Sequence, residues 1–219
     1  MPTLELIQIG LTILALFTLC TYTYALIVTL LAALLNIKVR EVLLGFGKPL
    51  LQFDILGRTI SICSLPLGTS VSFVEGEAGF DGLSKPYKLI FRVTGEIIFL
   101  AAAFLYVSDR VVDLPQQVIG TVFALFHSPY DTARAVAGDI VQIIRTESAG
   151  TIVALAFALQ AVINLLPIPP LNGGLFLIEL LEWITGTTME LLRSGPIVLV
   201  SLLVIIYAFG WVVAGFFLI

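Results

Sequence analysis

Charge is what this sequence has least of. Only 12% of its 219 residues are charged, against 59% hydrophobic, and the mean hydropathy is +1.09. A soluble domain carries about 25% charged residues, so the deficit excludes an ordinary soluble globule and predicts an integral membrane protein. Histidine is nearly absent too. The one copy, His127, would have to serve any Ser-His-Asp triad, and no nucleophile motif lies near it. The two cysteines, Cys20 and Cys63, are far apart and lack motif spacing, so they read as small buried apolar residues. The net charge of -4 and pI near 4.9 speak against a nucleic-acid partner. Internal repeats and low-complexity tracts are missing. The first thirty residues lack a basic leader region and an A-x-A-like cleavage site, and are expected to stay as a transmembrane helix.

What is present is long apolar runs. Four stretches are apolar enough to be read as spans of a core ~30 Å thick: about 6–35, 89–107, 151–185 with a Pro/Gly break at 167–174, and 196–219. Seven of the eleven basic residues, Lys38, Arg40, Lys48, Arg58, Lys85, Lys88 and Arg92, fall in or beside the connection between the first two spans. The positive-inside rule makes that connection cytoplasmic and both termini extracytoplasmic. Within it, LQFDILGRTISICS and TSVSFVE alternate apolar and polar residues. Turn residues stand at Leu56-Gly57 and Pro66-Leu67-Gly68. The pattern predicts two or three short antiparallel strands over about 50–75. Gly45-Phe46-Gly47 is a lone GxG without phosphate-loop context and reads as a turn. An amphipathic extracytoplasmic segment, about 113–146, holds two helix candidates. In the second, Ala135, Ala137, Ile140, Ile143 and Ile144 recur near helical spacing. That face is expected on the bilayer or on the protein's own spans, or else on a partner. The expectation is a single membrane domain over 1–219: an all-α polytopic protein of four transmembrane helices with a small, membrane-associated cytoplasmic antiparallel β region between spans one and two.

The segment NLLPIPPLNGG, residues 164–174, resembles the NLLPIPxLDGG segment of the site-2 protease family, the intramembrane zinc metalloproteases of peptidase family M50. NIKVREVLLGFGKPLLQF resembles the family's stretch after its first span, and SICSLPLGTSVSF its L-IPLGGYVxM strand. YKLIFRVTGEIIFLAAAFLYV stands where the family has its AGPxxN span, and HSPYDTARAVAG resembles its SGPxGIAxxAG element. The resemblance covers nearly the whole chain, in order.

It implies a zinc site made of two His from HExxH and an Asp, with the Glu of HExxH as general base. An ungapped count back from Ile37-Lys38-Val39 lays HExxH on Tyr24-Ala25-Leu26-Ile27-Val28, and the Asp position holds Asn172. The degenerate positions are thus Tyr24, Ala25, Val28 and Asn172, and an amide is a poor zinc ligand beside a carboxylate. AGPxxN becomes Thr94-Gly95-Glu96-Ile97-Ile98-Phe99, which puts the acid Glu96 inside a span. Such an acid marks a candidate site. It could be hydrogen-bonded in the bundle to Asn172, Tyr24 or Thr94, solvated near Arg92, or engaged with a partner's base or a proton. Pro167, Pro169 and Pro170 break the helix, and Gly173 and Gly174 let it turn and restart. The candidate binding groove or polar cluster comprises Glu96, Thr94, Tyr24, Asn172, Pro167, Pro169 and Gly173.

The expectation is a pseudoprotease of the bacterial inner membrane, without metal or other cofactor. It would bind other membrane proteins as an adaptor through the former substrate groove and a β edge. An accessory structural subunit is the alternative; lipid or ion transport through Glu96, or a protease with unrecognised ligands, follow behind.

Overall fold

The computed structural model describes residues 3–55, 57–76 and 78–219. Among these residues, six α-helices and two strands follow in the order α1 (Thr3–Leu34), β1 (Val39–Ile55), β2 (Arg58–Phe73), α2 (Lys85–His127), α3 (Pro129–Thr146), α4 (Ala149–Asn164), α5 (Asn172–Thr185) and α6 (Gly195–Gly215). Contacts divide the chain into two units, Thr12–Gly95 and Met1–Leu11 with Glu96–Ile219.

In the first unit, a helix and a bent sheet share one apolar cluster. Ala25, Val28 and Ala32 of α1 recur at three- and four-residue spacing and meet Ile37, Val39 and Val42 at the start of the sheet and Phe91 of α2. The sheet begins at Val39, ahead of the region predicted at about 50–75. Its first stretch has partners on both sides: Val42 registers with Val71 and with Ile60. With β2 on both sides, this stretch has no free edge, and VREVLL does not follow a simple apolar–polar alternation. The turn expected at Gly45-Phe46-Gly47 is a break within β1, with Gly45 at φ +94° and Gly47 at φ +93°. There the register shifts, and β1 continues as 49–55 against the first residues of β2. A side chain at Gly45 would collide with the backbone carbonyl of Leu65, so the bend requires glycine. Of the predicted turn residues, Leu56 lies outside the described residues, while Gly57 turns at φ +74°.

In the second unit, α2 packs on α4 through Ala103, Val111, Leu114, Ala154, Ala158 and Val162. Phe99 stacks on Phe157 with centroids 4.5 Å apart. Gly150 lets the Tyr106 hydroxyl close on α4's first turn. The predicted second span ended at Val107. The helix in fact kinks there, with φ -141° and ψ 48°, and continues to His127. The polar run Ser108-Asp109-Arg110 that looked like a span's end opens the second segment instead, as residues of that type favour helix starts. The second amphipathic helix, α3, buries Ala133, Ala137 and Val141, whereas Ala135 is exposed. The stripe is displaced because α3 packs on α6, where Gly215 admits Ala133 and Ala137 against its bare backbone.

Three helices are long and apolar enough to cross a membrane among the described residues: Leu4–Leu34, Lys85–His127 and Gly195–Gly215. The predicted third span, about 151–185, is divided between α4, with 16 residues, and α5, with 14. Each is shorter than the ~20 residues a crossing needs. The fold is thus mostly helical with a small sheet and three such spans.

Candidate functional site

The break between α4 and α5 is built backbone against backbone. After Leu165 caps α4, Leu166 and Ile168 close tight turns: the Leu166 amide donates to Ile163 at 3.1 Å and the Ile168 amide to Leu166 at 2.7 Å. The proline at 167 prevents the helix from continuing, and the Pro169–Pro170 bond is cis. The chain then folds back across the first turn of α5. A side chain at Gly173 would strike the carbonyls of Leu165 and Leu166, and one at Gly174 would strike Ile168 and Pro169. Both glycines are buried. Two glycines at this place are therefore required by close approach of the backbone, a reason the sequence alone did not give.

Asn172 opens α5, and its Nδ2 donates to Glu96 Oε1 at 2.6 Å. Glu96 is completely buried in α2. Of the readings weighed for this acid, solvation is therefore excluded and the pair with Asn172 is formed. The pairing is favourable in several ways. The carboxyl gains an amide donor in a site closed to water, and it faces the first turn of a helix. The Thr94 hydroxyl is engaged elsewhere: it donates to the Ile90 carbonyl of its own helix at 2.6 Å. Arg92 lies over the Phe80 ring, 4.9 Å from its centroid.

The positions matched to HExxH belong to the other unit, and their surroundings are apolar. Ala25 and Val28 are buried in the cluster of α1, sheet and Phe91. Tyr24 packs beside that cluster, and its ring occupies the space over Gly95, where a Cβ would approach Tyr24 Cε2 to 2.6 Å. Gly95 thus makes room for an aromatic side chain. A zinc ion requires at least three good donors. A phenol, two hydrocarbons and an amide already hydrogen-bonded to a carboxylate do not fit it. No group of three or more His, Cys, Asp or Glu able to hold a metal occurs among the described residues. His127 is exposed at the end of α2, with Nδ1 2.9 Å from the Phe123 carbonyl.

One feature of the sheet was not foreseen from sequence. The bend at Gly45–Gly47 opens a cavity of about 260 Å³, lined by Glu41, Phe46, Gln52, Ser61 and Cys63 among others. Beside it the stretch 49–55 of β1 is exposed along its whole length, including Leu50, Leu51, Phe53 and Ile55, and it registers only with β2. Nothing in the alternating pattern distinguished this outer stretch from a covered strand.

Compared with curated proteins, the chain matches none. Compared with protein families, it matches the peptidase family M50 over residues 29–208, from the end of α1 into α6. The match takes in the sheet, the Glu96 helix and the Asn172 break, and it covers most of the chain. This chain belongs to peptidase family M50, the site-2 protease family that its motifs resemble.

Proposed function

We propose that this protein is a catalytically inactive member of its family that holds segments of other membrane proteins. The observation that carries the reading is the contrast between frame and chemistry. The broken helix with Gly173 and Gly174 packed against the break is retained. Yet the position of the family's third zinc ligand is an amide bonded to Glu96, and the positions of HExxH are an aromatic ring and two core hydrocarbons. A scaffold that keeps its turns while filling its metal site is suited to binding rather than hydrolysis. The exposed outer stretch of β1, 49–55, offers unpaired backbone on one edge, to which an extended segment can add as a further strand.

In the membrane arrangement we propose, α1, α2 and α6 cross the bilayer and α4 with α5 makes a fourth passage around the break. The freed backbone groups of 165–171 then face protein rather than lipid. The sheet, with Lys38, Arg40, Lys48 and Arg58, lies on the cytoplasmic side of a bacterial inner membrane and both termini lie outside.

Photo-crosslinking from Gln52 in the native membrane, followed by mild-detergent purification, tests the binding role. The adaptor reading expects several substoichiometric membrane proteins attached through that position. A single partner at constant stoichiometry would make the chain a structural subunit instead, and no crosslinked protein would defeat both.

A further inference from the structure

The first unit is rich in cations and the second in acids. Residues 12–95 hold seven Lys and Arg against five Asp and Glu, while the remainder holds four against ten. Within the basic unit, the cations at the start of α2 are organised. Phe73, Phe80 and Phe91 pack mutually, with centroids 5.6 to 5.8 Å apart. The Phe80 ring so fixed carries two cations one helical turn apart: Lys88 Nζ at 5.6 Å from the centroid and the Arg92 guanidinium at 4.9 Å. Lys85, exposed, adds a third positive charge at the first residue of α2. Neither Lys85 nor Lys88 has a carboxylate partner among the described residues.

Next to these cations the helix surface turns apolar. Tyr87 and Ile90 are both more than half exposed, at i and i+3, and the long apolar run of α2 starts at Leu89. An exposed tyrosine flanked by lysines at the mouth of an apolar helix is the arrangement of a water–lipid boundary. The occupant that meets a positive cluster and an apolar stripe at once is a lipid, with its phosphate among the amines and its chains along Tyr87 and Ile90. We propose that Lys85, Lys88 and Arg92, ordered on Phe80, form a binding site for the headgroup phosphate of an anionic phospholipid. The site rests on α2 crossing the bilayer, as described above, but not on the protein's being an adaptor.

The test is native mass spectrometry of the full chain in mild detergent, with phosphatidylglycerol or phosphatidylcholine added at equal concentration. Phosphatidylglycerol should be retained preferentially, and the K85Q/K88Q variant should lower that retention about tenfold. The charge-matched K48Q/R58Q variant and the conservative K85R/K88R variant should retain the lipid. Equal retention of the two lipids by the unaltered chain, which requires no variant to fold, would overturn the proposal. So would loss of phosphatidylglycerol equally in K48Q/R58Q, which would mean general charge rather than a site. Displacement of the lipid by millimolar inorganic phosphate would assign the cluster to a free anion and likewise overturn it. Crosslinking from Gln52 should be the same in K85Q/K88Q, so failure here is distinguishable from failure of the adaptor reading.

Discussion

On the reading proposed above, the two places where the resemblance lays the family's zinc site differ in opposite ways. On α1, Ala25 and Val28 belong to an apolar cluster with the sheet and Phe91, and Tyr24 lays its ring over Gly95. At the start of α5 the surroundings have stayed polar: Asn172 bonds to the fully buried Glu96, and the backbone of the break is packed on Gly173 and Gly174. If the chain is the inactive member proposed above, a metal centre has been replaced piecewise. On α1, hydrocarbon fills the space and is stabilised by burial. At the broken helix the backbone polarity cannot be removed, and the polar side chain there has a partner.

The comparison can be broken most forcefully on its apolar side. Ala25→Glu, the residue type that the resemblance implies for the base position, puts an unpaired charge into a closed cluster. It should cost several kcal/mol, enough to remove folded protein from detergent extracts. Gly173→Ala attacks the other side. Its methyl group has only backbone carbonyls to push against, so a loss near the upper end of the ~1–3 kcal/mol usual for overpacking is expected in thermal melts in detergent. Glu96→Leu leaves the Asn172 amide without this acceptor inside the protein and should cost about 1–3 kcal/mol. Glu96→Gln keeps an acceptor oxygen and should cost clearly less. Equal losses for the two variants would mean that Glu96 acts by its bulk, and the polar half of the comparison would fall. The smallest effect is expected far from both places. Arg145 donates from Nε to Glu5 Oε1 at 2.7 Å, and both side chains are partly exposed. Arg145→Gln should therefore change stability by less than about 1 kcal/mol, and the difference should shrink with added salt.

Much of this was legible in the sequence, and the parts that were not have identifiable causes. Membrane residence and the spans of α1 and α6 follow from local hydropathy and needed no tertiary information. The break at 167–174 announced itself through Pro167, Pro169 and the glycines. Its partner was another matter. Asn172 and Glu96 are 76 residues apart, and only the family resemblance made Glu96 a candidate partner of Asn172, alongside Tyr24. The continuation of α2 past Val107 was hidden because Ser108-Asp109-Arg110 serves equally as the end of a span and the start of a helix. The buried stripe of α3 was displaced from Ala135 to Ala133 because close approach to Gly215, a residue 82 positions further on in sequence terms from Ala133, outweighs the intrinsic apolar periodicity. Val39–Leu44 is not legible as strand because the order Val-Arg-Glu-Val-Leu-Leu lacks the apolar–polar alternation by which strands are recognised.

The central claim is that the family's zinc site has been filled by other chemistry, and the zinc content of the purified, unaltered protein tests it most directly. Elemental analysis after purification in zinc-containing buffer and removal of free metal should find no stoichiometric zinc, and Asn172→Asp should leave that result unchanged. Stoichiometric zinc in the unaltered protein, lost when Asn172 is replaced by Leu, would contradict the account.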